Sequence, residues 1–208
     1  MKHIVQFSGG AASAYVAKLV INDFGKDNVI LLHHDTKAED PDTYRFIDQV
    51  SNYLDKEIID VSDGRSLWQV IEDGNCLPSH FIPFCTQVLK LKPAEKFYKT
   101  IAEPFATYNG FGPDEWKRVA KATARSRIEG RSLCCPLYER NIKNEAVKNI
   151  IMNDWGICLP NAYKFLKHNN CIPCFKGGKG HFNKVWQHYP EQFQRAKEME
   201  ELIGFPVF

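Results

Sequence analysis

The sequence predicts an α/β fold of the Rossmann-like, three-layer α/β/α type, with a mainly parallel five-stranded sheet and a helical C-terminal appendage. Two observations predict this class. Short apolar runs alternate with segments of helical period along the first third of the chain, and such alternation is typical of right-handed βαβ units. A glycine pair also stands directly after the first apolar run, where a strand passes into a helix.

Apolar runs mark each strand in turn. "KHIVQF" predicts a buried first strand, and "AASAYVAKLVINDFG" predicts a helix that ends near Gly25. "NVILLHHD" and "KEIIDVS" predict the next two strands, with a helix between them. The last two predicted strands are "FATYNGF" and the short extended segment "SLCCPLY". The rest of the chain is predicted to be mainly helical, with a break or bend at Pro93 and a break at Pro190.

Length and composition predict one soluble domain. We expect residues 1–208 to form a single domain in which residues 157–208 are the helical, metal-binding appendage. The net charge of +2 is too small to indicate a nucleic-acid-binding protein by itself. The first apolar run is too short for a signal peptide, and no stretch has the length and composition of a membrane span. We therefore expect a cytoplasmic protein without membrane contact.

The stretch "SGGAAS" is a candidate phosphate site. Gly9 and Gly10 allow backbone N–H groups to approach phosphate oxygens, and Ser8 and Ser13 supply hydroxyl donors. In a parallel sheet, the loop after the first strand often opens a helix whose N-terminus attracts anions. This stretch alone leaves open a plain strand-to-helix turn, in which glycine is needed only for a positive φ.

Several stretches together resemble the PP-loop superfamily of adenine-nucleotide α-hydrolases, and within it the proteins similar to phosphoadenosine phosphosulfate (PAPS) reductases. Asp35 and Thr36 end the second strand, and Pro41 and Thr43 stand at the start of the next helix, as in that family. Three further stretches follow in the family's order: "FCTQVLKLKPAEKF", "NGFGPDEWKRV" and "NNCIPCFKGGKGHF". The resemblance covers nearly the whole chain.

The resemblance implies an enzyme that binds ATP or a PAPS-like adenine nucleotide, with its phosphates on the loop from Ser8 to Ser13 and its adenosine near Asp35 and Thr36. In PP-loop chemistry an acceptor oxygen attacks the α-phosphate, pyrophosphate leaves, and a sulfur or nitrogen nucleophile displaces AMP. Lys90 and Arg118 fall in family-like stretches and are implied to stabilise charge in the transition state. The expected activity is that of a sulfurtransferase or ATP pyrophosphatase, and the expected partners are a nucleic acid or a sulfur donor protein.

Two departures from the family's pattern bear on this expectation. Many PP-loop ATP pyrophosphatases, which use magnesium, carry Asp directly before the second serine, where this chain has Ala12. PAPS reductases carry a Glu-Cys-Gly motif near the C-terminus, and "ELIGFPVF" lacks it, so thioredoxin-linked sulfate reduction is not expected. The alternative left open is a catalytically inactive protein that binds a nucleotide or nucleic acid and has a structural zinc site.

Seven cysteines indicate metal or redox chemistry in a cytosolic chain. Cys171 and Cys174 form a C-x-x-C on a loop rich in Asn, Gly and Lys, which favours a metal site over a redox dithiol. The resemblance extends to adenylylsulfate reductases and adds Cys85 as a ligand of an iron–sulfur cluster. The candidates for a fourth ligand are Cys135 with its neighbour Cys134 or, for zinc, His168 or His181.

A basic stretch, "WKRVAKATARSRIEGR", follows the fourth predicted strand. Such a stretch is most often a solvated helix face. Its functional alternative is a clamp on the phosphates of a nucleotide or on a nucleic-acid backbone, because arginine matches phosphate geometry with two hydrogen bonds. The basic residues are Lys117, Arg118, Lys121, Arg125, Arg127 and Arg131.

Overall fold

A parallel sheet organises the chain in the computed structural model, which describes residues 1–204. The strands lie in the order β3-β2-β1-β4-β5, and the pairs β1–β2, β1–β4 and β4–β5 are parallel. The predicted α/β fold with a five-stranded parallel sheet is therefore confirmed. The last four residues of "ELIGFPVF" lie outside the described residues. The strands are β1 (Lys2–Phe7), β2 (Val29–His34), β3 (Ile58–Val61), β4 (Phe105–Tyr108) and β5 (Ser132–Cys134).

Helices follow the strands as the alternating pattern predicts. No helix within residues 1–204 combines the length and the apolar character needed to cross a bilayer. Short 3₁₀ turns cover Lys26–Asn28 and Pro113–Glu115. The helices are α1 (Ala11–Phe24), α2 (Asp42–Leu54), α3 (Leu67–Gly74), α4 (Phe84–Thr86), α5 (Lys92–Tyr98), α6 (Trp116–Ile128), α7 (Pro136–Glu139), α8 (Asn144–Asn153), α9 (Ala162–Phe165), α10 (Lys179–His188) and α11 (Pro190–Ile203).

Contacts within the chain divide it into two compact units. Unit 1 consists of Met1–His33, Thr43–Asp60 and Lys99–Pro160. Unit 2 consists of His34–Asp42, Val61–Tyr98 and the described residues from Asn161 onward. The expectation of a single domain with an appendage from residue 157 stays a prediction.

The core of unit 1 is built on β1 and β2. Val5 and Leu31 are opposite each other in the register of these strands, and both are fully buried. Helix α1 packs on β1 and also contacts α7 and α8. Its buried residues include Ala14 and Ala17, whose small side chains face the core. Gly25 ends the helix with a φ of +80°.

The core of unit 2 joins α3, α11 and the segment before α5. Ile71, Leu89 and Met199 are buried in one hydrophobic cluster, and the thiols of Cys85 and Cys171 pack against it. Two candidate metal ligands are thus attached to a packed core.

A π-helical segment, Gln87–Leu91, joins α4 to α5. The sequence predicts a break or bend at Pro93, but the helix continues through this residue, and the irregular turn comes before it. Proline has no backbone N–H and its ring clashes with the carbonyl four residues earlier, here that of Leu89. Widening the preceding turn accommodates both effects, and π turns of this kind are frequent at functional sites. The predicted break at Pro190 is confirmed, since α11 begins there.

Replacing Leu31 by alanine tests the packing of the sheet. Leu31 is fully buried, so Leu31→Ala should lower the free energy of unfolding by about 3 kcal/mol through lost transfer energy and a cavity. Urea unfolding followed by circular dichroism measures this. The matched control is Leu202→Ala, at a position 62% exposed, which should change stability by less than about 0.5 kcal/mol. Equal costs at both positions would contradict the assigned core.

Candidate functional site

The glycine loop, defined here as Ser8 to Ser13, connects β1 to α1 in unit 1. Gly9 has a φ of +71°, a conformation that favours glycine. Gly10 is extended and precedes the first turn of α1 without any side-chain cap. A helix start of this kind directs backbone N–H groups outward and attracts anions. The loop therefore combines two backbone features that are typical of phosphate-binding loops, a glycine with positive φ and an uncapped helix start.

The two serines of the glycine loop have different roles. Ser13 is 2% exposed, and its hydroxyl donates to the carbonyl of Gly10 at 2.8 Å. It accepts hydrogen bonds from the backbone N–H of Ser8 at 3.1 Å and from the Ser8 hydroxyl at 3.2 Å. Ser13 thus holds the loop in shape. Ser8 is exposed and is the serine whose hydroxyl is accessible to a ligand.

Gly110 supports the glycine loop from the neighbouring strand of unit 1. A Cβ at Gly110 would lie 2.9 Å from the backbone carbon of Ala12 and 3.0 Å from the backbone nitrogen of Ser13. No side chain fits in this space, so the loop after β4 contacts the glycine loop backbone to backbone. The family-like stretch "NGFGPDEWKRV" includes Gly110, but its contact with the glycine loop was not predicted, although a glycine just after a predicted strand often marks a close backbone approach.

Arg118 lies near the start of α6, also in unit 1. Its guanidinium forms an ion pair with Glu115 and lies over the ring of Phe111, 4.5 Å from the centroid. Glu115 also accepts a hydrogen bond from the backbone N–H of Gly112 at 2.9 Å. These contacts tie the exposed Arg118 to the loop that contains Gly110. Its catalytic role stays a prediction.

Unit 2 brings together three cysteines from two distant segments. We call Cys85, Cys171 and Cys174 the thiol cluster. All three lie within electrostatic reach of the amino group of Lys90, as does the carboxylate of Glu39. The three predicted metal ligands therefore lie near Lys90, which is a predicted catalytic residue.

Lys90 and the thiol cluster influence each other's pKa values. Burial would lower the pKa of Lys90, but Cys171, Glu39, Cys174 and Cys85 together raise it. Burial raises the pKa of Cys171 to about 11, although Lys90 opposes this shift. Burial likewise raises the pKa of Cys85. The thiols of Cys85 and Cys171 are thus held protonated in the metal-free protein, and a bound metal would release their protons.

Backbone hydrogen bonds position the C-x-x-C turn. The N–H of Ile172, between the two cysteines, donates to the carbonyl of Ala38 at 2.7 Å. The carbonyl of Ile172 is 2.8 Å from Nε2 of His181, which donates to it. Lys176 donates to the hydroxyl of Thr86, next to Cys85, at 3.0 Å. His181, considered above as a zinc ligand, thus uses one ring nitrogen to hold the turn.

The predicted adenosine contacts, Asp35 and Thr36, also belong to unit 2. The buried Thr36 donates its hydroxyl proton to Glu39 at 2.7 Å, and its oxygen lies 3.2 Å from the sulfur of Cys171. The carboxylate of Asp35 accepts a hydrogen bond from the backbone N–H of Lys37 at 2.8 Å. Thr36 is therefore a neighbour of the thiol cluster, and the nucleotide contact of both residues stays a prediction.

Cys135, the predicted fourth ligand, lies in unit 1. Its backbone N–H donates to the carboxylate of Glu139 at 2.6 Å. Burial, together with Glu139 and Cys134, raises the pKa of the Cys135 thiol to about 12. The other three predicted ligands lie in unit 2, and the role of Cys135 stays a prediction.

The donor chemistry of the thiol cluster fits a thiolate-bound metal. Cysteine is the preferred ligand of iron–sulfur clusters and a common ligand of zinc. Among residues 1–204, no group of three or more His, Cys, Asp or Glu side chains is arranged as a ready-made metal site. The fit therefore rests on three thiols close to one cation, Lys90, whose charge offsets that of thiolates.

A family model, the phosphoadenosine phosphosulfate reductase domain, matches residues 2–152. The chain belongs to this family. The match includes the glycine loop, Cys85, Lys90 and Arg118, and ends before the C-x-x-C turn. No curated protein matches the chain.

Solved structures share the fold of this PAPS reductase domain. One is the PAPS reductase from Candida auris in a phosphate complex, with 15% identity and a TM-score of 0.54 over 79% of this chain and 78% of that one. Another is the U34-tRNA thiolase NcsA from Methanococcus maripaludis with its [4Fe-4S] cluster, with 15% identity and a TM-score of 0.55 over 98% of this chain and 73% of that one. Identities this low establish similarity of fold alone.

The contact between Gly110 and the glycine loop can be tested by adding one methyl group. Gly110→Ala should lower the free energy of unfolding by about 1–3 kcal/mol, because the new carbon overlaps the backbone of Ala12. The matched control is Gly180→Ala in α10, where a Cβ meets nothing within 4 Å and should be neutral or stabilising. Urea unfolding of both variants measures the difference. Equal stability of the two variants would show that the loops do not touch.

Proposed function

We propose that the protein is an adenine-nucleotide-dependent enzyme that activates an acceptor by adenylation and then introduces sulfur. The thiol cluster around Lys90 carries this proposal. Membership of the PAPS reductase domain family supports it, because that family handles activated sulfur compounds. The geometry of the glycine loop supports the nucleotide-binding part.

The proposed nucleotide places its phosphates on the glycine loop. The backbone of Gly9 and Gly10 and the start of α1 are suited to bind them. The exposed hydroxyl of Ser8 would turn its single proton from Ser13 to a phosphate oxygen, while the bonds of Ser13 to the backbone of Ser8 and Gly10 keep the loop closed. Arg118, whose guanidinium pairs with Glu115, is proposed to contribute a positive charge as pyrophosphate departs. ATP is the proposed nucleotide, and magnesium would neutralise its phosphates.

The proposed reaction has two steps. An oxygen of the acceptor attacks the α-phosphorus of ATP, the bond to pyrophosphate breaks, and the acceptor becomes adenylated. A hydrosulfide then attacks the activated carbon of the acceptor and AMP leaves with the oxygen. Holding the reactants in line and stabilising developing charge are the protein's contributions.

Cys85, Cys171 and Cys174 are the proposed ligands of an iron–sulfur cluster. When bound, such a group supplies a site that binds sulfide. The amino group of Lys90 offsets the negative charge of the three thiolates. Thr36 and Glu39 fix the position of Cys171 through hydrogen bonds.

One observation favours a second candidate function. Ala12 in the glycine loop supplies no carboxylate for a magnesium ion, the usual partner of transferred phosphates. A protein that binds the nucleotide without cleaving it, stabilised by zinc on the same cysteines, is therefore the alternative.

Release of AMP and pyrophosphate from ATP under anaerobic conditions, in the presence of hydrosulfide, tests the proposal. The wild type should release both, and Ser8→Ala should lower kcat/KM about tenfold or more, because a hydrogen bond to a charged phosphate is lost. The matched control is Ser62→Ala at another exposed serine, which should leave kcat/KM unchanged. Tight ATP binding without release, together with release by Ala12→Asp, would instead establish the alternative.

A further inference from the structure

Helix α6 exposes a basic face in unit 1, and of its charges the proposed reaction uses Arg118 alone. Of its 13 residues only Ser126 is buried. The helix contains no acidic residue. Its basic residues are Lys117, Arg118, Lys121, Arg125 and Arg127.

Three of these charges are not neutralised. Arg118 pairs with Glu115, and Arg125 pairs with Glu129 at 2.7 Å. Lys117, Lys121 and Arg127 are exposed. Within the described part of the chain, none of these three side chains has an ion-pair partner. From Lys117 to Arg127 the helix rises about 15 Å, which spans several phosphates of an extended strand.

Large apolar side chains lie among these charges. Trp116 is 58% exposed and Ile128 is 87% exposed. The amino group of Lys117 lies 5.4 Å from the centre of the Trp116 ring system. A solvated helix face has no need of an exposed indole, whereas an indole beside cations is a typical platform for an unpaired base. A base-paired duplex hides its base faces, so the combination favours a single strand.

We propose that the exposed face of α6 binds single-stranded nucleic acid, with phosphates on Lys117, Lys121 and Arg127 and a base stacked on Trp116. The helix begins shortly after Gly110, whose backbone lies against Ala12 of the glycine loop. A strand on α6 therefore reaches the part of unit 1 where the nucleotide is proposed to bind. The inference thus names the class of acceptor. The identification of nucleic acid as the acceptor rests on the proposed function, whereas the binding of a single strand to α6 does not.

Fluorescence anisotropy tests the binding. The three labelled probes are a single-stranded RNA of about twelve nucleotides, a single-stranded DNA of the same sequence, and a DNA duplex. The triple variant Lys117→Ala, Lys121→Ala, Arg127→Ala should bind at least about tenfold more weakly. The slope of the logarithm of the binding constant against the logarithm of salt concentration should be shallower by about 2 for this variant. Each of the three lost phosphate contacts contributes about 0.7 to that slope. Trp116→Ala should weaken binding about fivefold or more without changing the salt slope.

A second triple variant is the matched control. Lys99→Ala, Lys143→Ala, Lys167→Ala removes the same charge from exposed positions outside α6 and should retain affinity within about twofold. Both single strands should bind more tightly than the duplex, and the RNA to DNA ratio identifies the preferred sugar. The inference is overturned if the two triple variants weaken binding equally. It is also overturned if the wild type binds no strand at low salt, or if polyglutamate competes as well as the oligonucleotide.

Oligonucleotide binding and AMP release are measured separately, so each can fail without the other. Cys171→Ser removes a proposed metal ligand in unit 2 and should bind the oligonucleotide as the wild type does. Oligonucleotide binding that depends on α6, without AMP release, would contradict the proposed function alone. AMP release without oligonucleotide binding would contradict the inference alone.

Discussion

The parallel pairing of β1 between β2 and β4 is the constraint on which the site of unit 1 depends. Parallel strands end at the same edge of a sheet, so the loops after β1 and β4 are neighbours. The close approach of Gly110 to Ala12 follows from this pairing. A residue with a side chain at position 110 would force these loops apart. The glycine loop is therefore shaped by its neighbour as well as by its own glycines.

Unit 2 buries thiols together with charged side chains. Burying a thiolate or an ammonium group alone is costly. Lys90 lies within electrostatic reach of the Glu39 carboxylate and of the three cysteines, so the buried ammonium group has a negative charge nearby. The hydrogen bonds of Ile172 to Ala38 and to His181 hold the C-x-x-C turn in place. These bonds fix the turn, whereas a metal would still have to draw the three thiols together, since no such ligand group is formed among residues 1–204.

Local patterns in the sequence were sufficient to predict the strands, the start of α1 and the break at Pro190. They were also sufficient to select the glycine loop and the C-x-x-C as candidate sites, because each is contained in a few consecutive residues. Features that depend on distant segments were not predictable in this way. The contact of Thr36 with Cys171 joins residues far apart in the chain, and the same is true of Gly110 and Ala12. The internal role of Ser13 depends on rotamer choice, which spacing does not report.

The thiol cluster is proposed to hold an iron–sulfur cluster, which is suited to sulfur chemistry. Anaerobic purification followed by iron, sulfide and zinc analysis and an absorption spectrum tests this most directly. We expect a brown protein with iron and inorganic sulfide in equal amounts, both lost in Cys171→Ser and both retained in Cys158→Ser, which changes an exposed cysteine. A colourless wild type with one zinc ion per chain and no sulfide would rule out the proposed iron–sulfur cluster.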